Sequence, residues 1–148
     1  MSMQTPVNGL RGWLQTWWMR VPEPRELSVV FTGAYFVAFL TGVATLTYPP
    51  MSLSKEVGGP QVMASVGVLL LVGSLVAMFG GAREHWKVER IGLWLMAWAG
   101  LIYATIVLFL QFTSDGSRLT QLGFIVLGLT VFLIRYLMIW RFTFRPRG

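Results

Sequence analysis

Four long stretches of apolar residues alternate with short polar segments along the chain. They are Ser28–Thr47, Val62–Gly80, Ile91–Phe112 and Leu119–Trp140, each 19 to 22 residues long. A helix rises about 1.5 Å per residue and therefore needs about 20 residues to cross the hydrocarbon core of a bilayer. The first three stretches contain no charged residue, and the fourth contains only Arg135. Because a soluble helix would show a polar face at helical spacing, which these stretches lack, the pattern predicts four membrane spans.

The composition supports the same class of protein. Apolar residues make up 55% of the 148 residues and charged residues 12%, whereas charged residues account for about 25% of an ordinary soluble domain. The predicted fold is all-α, an integral membrane four-helix bundle that forms a single membrane domain over residues 1–148.

A fifth helix is predicted before the first span, over residues 5–21. Its apolar positions follow the spacing of one helical stripe, and they are Leu10, Trp13, Leu14, Trp17, Trp18 and Val21. Arg11 and Arg20 fall on the opposite side. A stripe with three tryptophans opposite a basic face is typical of a helix that lies in the membrane interface. The alternative is a stripe that packs against the bundle or against a partner subunit.

Lysine and arginine are concentrated in alternate segments. The five successive segments outside the apolar stretches, with Arg135 counted in the last, hold three, one, three, one and four of the 12 basic residues. Since basic residues in short loops favour the cytoplasmic side, both termini and the middle loop are predicted to be cytoplasmic. Membrane topology thereby accounts for the net positive charge, and we do not expect the chain to bind nucleic acid. The expected partner is a bilayer with anionic head groups. The tail 141–148, with Arg141, is expected to bind those head groups.

The chain offers little chemistry for catalysis. It has no cysteine, six acidic residues and one histidine, and none of these seven lies within a predicted span. His85 has no second histidine to form a metal pair, and no catalytic sequence motif is present. We therefore predict no enzyme activity, cofactor or metal. Arg135 is expected to reach the cytoplasmic head groups with its long side chain; an interior partner or a pore-lining role is the alternative.

Small residues recur at packing distance within the spans. They are Ala34, Ala38, Gly42, Gly73, Ala77, Gly81, Gly100 and Ala104. Small residues four apart let membrane helices approach closely. The pattern is compatible both with packing inside one bundle and with a homo-oligomer.

Several short segments resemble small four-span membrane proteins of bacteriophages that infect actinobacteria. The segments are Pro22-Glu23-Pro24-Arg25-Glu26-Leu27, Thr45-Leu46, Tyr48-Pro49-Pro50, Val88-Glu89-Arg90 and the arginine-rich aromatic C-terminus. Such proteins are often called holins. The resemblance implies a protein that oligomerises in the inner membrane of a bacterial host and permeabilises it during lysis, so that an endolysin can act on the cell wall.

Two other classes of function remain open from the sequence. One is a membrane accessory or superinfection-exclusion protein that binds a partner within the bilayer. The other is a small-solute channel or transporter, for which Arg135 is the only candidate residue.

Overall fold

The computed structural model describes residues 25–48, 59–83, 85–113 and 117–142. These residues form four α-helices: α1 Arg25–Thr47, α2 Gly59–Ala82, α3 Trp86–Thr113 and α4 Leu119–Phe142. All four are long and apolar enough to cross a membrane, which confirms that the four predicted stretches are helices able to span one. The predicted interfacial helix 5–21, with Trp13, Trp17 and Trp18, lies outside the described residues, as does the tail beyond Phe142.

The helices pack in chain order, with α1 against α2, α2 against α3 and α3 against α4. The two middle helices are the most enclosed: 33% of the most apolar 18-residue stretch of each is buried, against 22% for α1 and 11% for α4. Helix α4 therefore lies at the edge of the bundle, with most of its surface facing the surroundings.

Two apolar clusters form the core. The first draws on all four helices and contains Phe31, Tyr35, Ala38, Ala77, Leu93, Met96 and Ile139. The second contains Met63, Ile106 and Leu110, with Tyr103 packed against it. Near this second cluster, the Gln121 side-chain amide donates a hydrogen bond to the Tyr103 hydroxyl at 2.5 Å and so joins α4 to α3. Around the second cluster, α2 and α3 are thus joined by apolar packing, and α3 and α4 by this hydrogen bond.

Glycine contacts determine how closely the first three helices approach. A Cβ added to Gly42 would lie 2.8 Å from the backbone nitrogen of Leu71 and 3.0 Å from the carbonyl oxygen of Gly67. A Cβ on Gly92 would lie 2.5 Å from the Gly73 carbonyl oxygen. Only glycine fits such backbone contacts, which is the close approach typical of membrane helices.

The predicted small-residue positions are used mainly within the monomer. Ala38 and Ala77 are buried in the first cluster, Gly42 and Gly73 face neighbouring helices, and Gly100 receives the side chain of Leu129. Gly81 lies close to a glutamate carboxyl group described below, while Ala34 and Ala104 are half-buried. Most of these positions therefore hold the bundle together, and whether any also serves oligomerisation stays a prediction.

A buried ion pair at one end of the bundle

The turn between α2 and α3 places a charged residue inside the bundle. Helix α3 begins at Trp86, five residues before the apolar stretch that marked the predicted span, so Glu89 lies in its first turn. The carbonyl of His85 accepts hydrogen bonds from the backbone N–H groups of Val88 (2.9 Å) and Glu89 (3.1 Å) and so begins the helix. The charged segment 86–90 therefore forms a helical lead-in to the third span, as the helical spacing of Trp86 and Arg90 allows.

Gly80 at the end of α2 makes room for the Glu89 backbone, whereas a Cβ on Gly81 would make only ordinary contact with the Glu89 carboxyl group. A Cβ on Gly80 would collide with the Glu89 backbone nitrogen, and one on Gly81 would lie 3.7 Å from the Glu89 carboxyl carbon. The backbone N–H of His85 also donates to the Gly80 carbonyl at 2.9 Å, which folds the turn tightly. Glu89 is therefore pressed against α2 and is completely buried.

The Glu89 carboxylate accepts hydrogen bonds from two other helices. The hydroxyl of Tyr35 on α1 donates to Oε1 at 2.6 Å. Arg135 on α4 donates from Nε to the same oxygen at 2.7 Å and from Nη2 to Oε2 at 3.2 Å. Tyr35 is 2% exposed and Arg135 8%. One buried carboxylate thus joins α1, α3 and α4, and both of its oxygens have partners.

Aromatic rings enclose the guanidinium group. Its central carbon lies 5.0 Å from the ring centre of Phe31 and 5.8 Å from that of Trp86. Rings at this distance attract a cation through their electron-rich faces. Glu89 is completely buried and Arg135 is 8% exposed, and burial strengthens the attraction between the two charges.

The predicted anchoring of Arg135 in the head groups does not match this arrangement. Its guanidinium points into the bundle and pairs with Glu89, as the alternative of an interior partner required. Arg135 lies five residues before Trp140, about 7.5 Å along the axis. Its side chain is therefore long enough either to reach the head groups or to pair inside the bundle. The acceptors supplied by Glu89 explain why it turns inward. Arg141 is in the last turn of α4, and its predicted anchoring stays a prediction.

Sequence reasoning missed Glu89 and Tyr35 as members of this site. Glu89 precedes the apolar stretch and therefore looked like a loop residue, whereas Tyr35 looked like one more aromatic residue of a span. One signal was present: an arginine within a membrane span usually pairs with another charged group or a carbonyl inside the protein. The antiparallel order of the spans brings the start of the third and the end of the fourth to the same end of the bundle, which left Glu89 within reach.

The arrangement is suited to holding helices together. Glu89 and Arg135 neutralise each other, and all three side chains find hydrogen-bond partners inside the bundle. Among the described residues, no group of three or more histidine or acidic side chains could hold a metal ion. His85 is exposed, and its Nδ1 lies 2.6 Å from the Arg83 carbonyl oxygen. We call Tyr35, Glu89 and Arg135 the buried triad.

Comparison of the chain with protein-family models, with curated proteins and with solved structures found no match.

Proposed function

We propose that this chain is a non-enzymatic, holin-like membrane protein that oligomerises in the inner membrane of a bacterial host and permeabilises it during lysis, in cooperation with an endolysin. The observation that carries the proposal is the position of α4, a span at the edge of the bundle. The buried triad is its polar link to α1, and its polar links to α3 are the triad and the Gln121–Tyr103 hydrogen bond. A bundle built in this way can exchange contacts of α4 within the monomer for contacts between monomers.

The buried triad supports a closed state in lipid and an open state in water. Separating Glu89 from Arg135 within hydrocarbon is costly, because a lone charge there has no partner. In a water-filled lesion both groups would be hydrated, and movement of α4 would also expose the Tyr35 hydroxyl. Opening of the bundle would therefore expose polar groups that favour entry of water, and the entry of water would in turn stabilise the open state.

The outer face of α4 supports association between copies. Gly123 and Thr130 are exposed on it, seven residues apart and so on one side of the helix. A Cβ on Gly123 would meet nothing within 4 Å, so this glycine is not needed for packing inside the monomer. A backbone without side-chain cover lets a second helix approach closely.

Inducible expression in a bacterium loaded with a membrane-potential dye tests the proposal. The wild-type chain should abolish the potential, and co-expression of an endolysin should then lyse the cells. Gly123→Leu should slow the loss of potential several-fold by blocking the outer face of α4. Gly33→Leu is the matched control, because a Cβ on Gly33 of α1 also meets nothing within 4 Å. An intact potential with wild-type protein present in the membrane would refute the proposal.

A small-solute channel or transporter is the second candidate, and the buried Glu89–Arg135 pair favours it. Ionisable residues inside membrane spans often mark a path for ions or protons. Such a protein would carry a selective flux in vesicles without lysing cells that contain an endolysin.

We further propose that both termini and the α2–α3 turn are cytoplasmic. The support is the distribution of basic residues, with Arg83, Lys87 and Arg90 around that turn and only Arg118 between α3 and α4.

Single cysteines test this orientation cleanly, because the chain has none of its own. A membrane-impermeant maleimide added to intact spheroplasts, before any permeabilisation, should label Ser54→Cys and Ser117→Cys. It should label Lys87→Cys only after the membrane is opened with detergent. The reverse labelling pattern would invert the topology.

A further inference from the structure

A groove between α3 and α4 runs away from the end of the bundle that holds the buried triad. Its volume is about 170 Å³, and it is lined by Leu93, Trp94, Ala97, Leu129, Phe132 and Tyr136, among others. The lining is almost wholly apolar and the groove is open on one side. Because α4 lies at the edge of the bundle, that side faces the surrounding hydrocarbon. The groove has room for several methylene groups of an acyl chain.

Aromatic rings follow the groove toward the membrane surface. Trp94 and Tyr136 meet edge to face with their ring centres 5.9 Å apart, and Tyr136 and Trp140 are also 5.9 Å apart. Tryptophan and tyrosine concentrate where hydrocarbon meets head groups. The rings therefore mark the boundary between the acyl chains and the head groups of the surrounding lipids.

Basic residues stand at that level, above the groove. The guanidinium carbon of Arg90 lies 5.1 Å from the ring centre of Trp140. Lys87 is exposed, one helical turn before Arg90 on the same side of α3, and Trp94 follows one turn after. Among membrane proteins, basic residues beside a cleft between spans are typical of sites for anionic head groups.

We propose that the α3–α4 groove is a binding site for one anionic phospholipid. Its phosphate contacts Arg90 and Lys87, and one acyl chain lies along Trp94, Ala97 and Phe132. The charge complementarity selects an anionic head group, and the apolar groove requires a lipid rather than free phosphate. This site depends on α3 and α4 alone and does not rest on the proposed permeabilisation.

Native mass spectrometry of the full chain tests the site. Protein reconstituted with equal amounts of phosphatidylglycerol and phosphatidylcholine, then taken into detergent, should retain one phosphatidylglycerol per chain at least about fivefold over phosphatidylcholine, a difference of about 1 kcal/mol. Inorganic phosphate in excess should not displace the lipid. Equal retention of the two lipids, or displacement by phosphate, would overturn the proposal.

Four variants locate the binding site. Arg90→Gln should abolish the preference for phosphatidylglycerol, and Ala97→Phe should remove both lipids by filling the groove. Arg83→Gln is the matched control, because Arg83 is a nearby exposed arginine that lies over Phe79 of α2, 4.1 Å from its ring centre. If Arg90→Gln does not fold, Lys87→Gln replaces it as the test, because the Lys87 side chain is exposed. Lys87→Gln should reduce the preference for phosphatidylglycerol severalfold. An equal effect of Arg83→Gln and the groove-side variants would indicate diffuse attraction and refute a defined site.

Discussion

Replacing Arg135 by methionine should lower the free energy of unfolding by about 3–5 kcal/mol, because the change leaves the Glu89 carboxylate buried without its counter-charge. The Arg135 side chain donates to both carboxylate oxygens, and no water reaches the completely buried Glu89 to replace it. The measurement is reversible unfolding by sodium dodecyl sulfate in mixed micelles, followed by the fluorescence of the tryptophans.

A double-mutant cycle distinguishes a lost ion pair from lost packing. Glu89→Gln together with Arg135→Met should be less destabilising than Arg135→Met alone, since removal of both charges leaves no uncompensated one. Tyr35→Phe should cost about 1.5–3 kcal/mol, the usual worth of a hydrogen bond to a charged group. If the effects of Glu89→Gln and Arg135→Met on the free energy of unfolding simply add, Glu89 and Arg135 do not stabilise each other and the triad does not hold α4.

The spans could be predicted from the sequence because hydropathy is a property of consecutive residues. The start of α3 differed from its predicted position for the same reason. The apolar stretch begins at Ile91, directly after the charged residues Glu89 and Arg90. The helix begins five residues earlier, at Trp86, because its backbone hydrogen bonds do not depend on hydropathy. A span and its helix thus need not share a boundary.

The buried triad could not be predicted in the same way, because it depends on how three helices are rotated about their axes. Tyr35, Glu89 and Arg135 come from α1, α3 and α4, and residue spacing within one helix says nothing about its neighbours. The rotation of α3 against α2 is set largely by glycines at which a side chain would strike backbone atoms, including Gly80, where Glu89 rests. The arrangement of the candidate site therefore depends on the positions of the glycines as much as on the positions of the charged residues.

Gly92→Ala should disrupt the α2–α3 contact although it adds only one methyl group. The new Cβ would lie 2.5 Å from the backbone nitrogen of Ala77 and 2.5 Å from the carbonyl oxygen of Gly73, and backbone atoms on a packed helix cannot move aside as a flexible side chain can. We expect a loss of about 1–3 kcal/mol, typical of overpacking, in the same unfolding measurement. Since Gly92 lies one turn beyond Glu89, separation of α2 and α3 should also loosen the triad and make Tyr35→Phe less costly in this background. Gly33→Ala is the matched control: its Cβ meets nothing within 4 Å, so it should be neutral or stabilise the helix by up to about 1 kcal/mol. Equal stability of the two variants would mean that α2 and α3 can separate without penalty, and the close packing that positions Glu89 would not be what holds the site together.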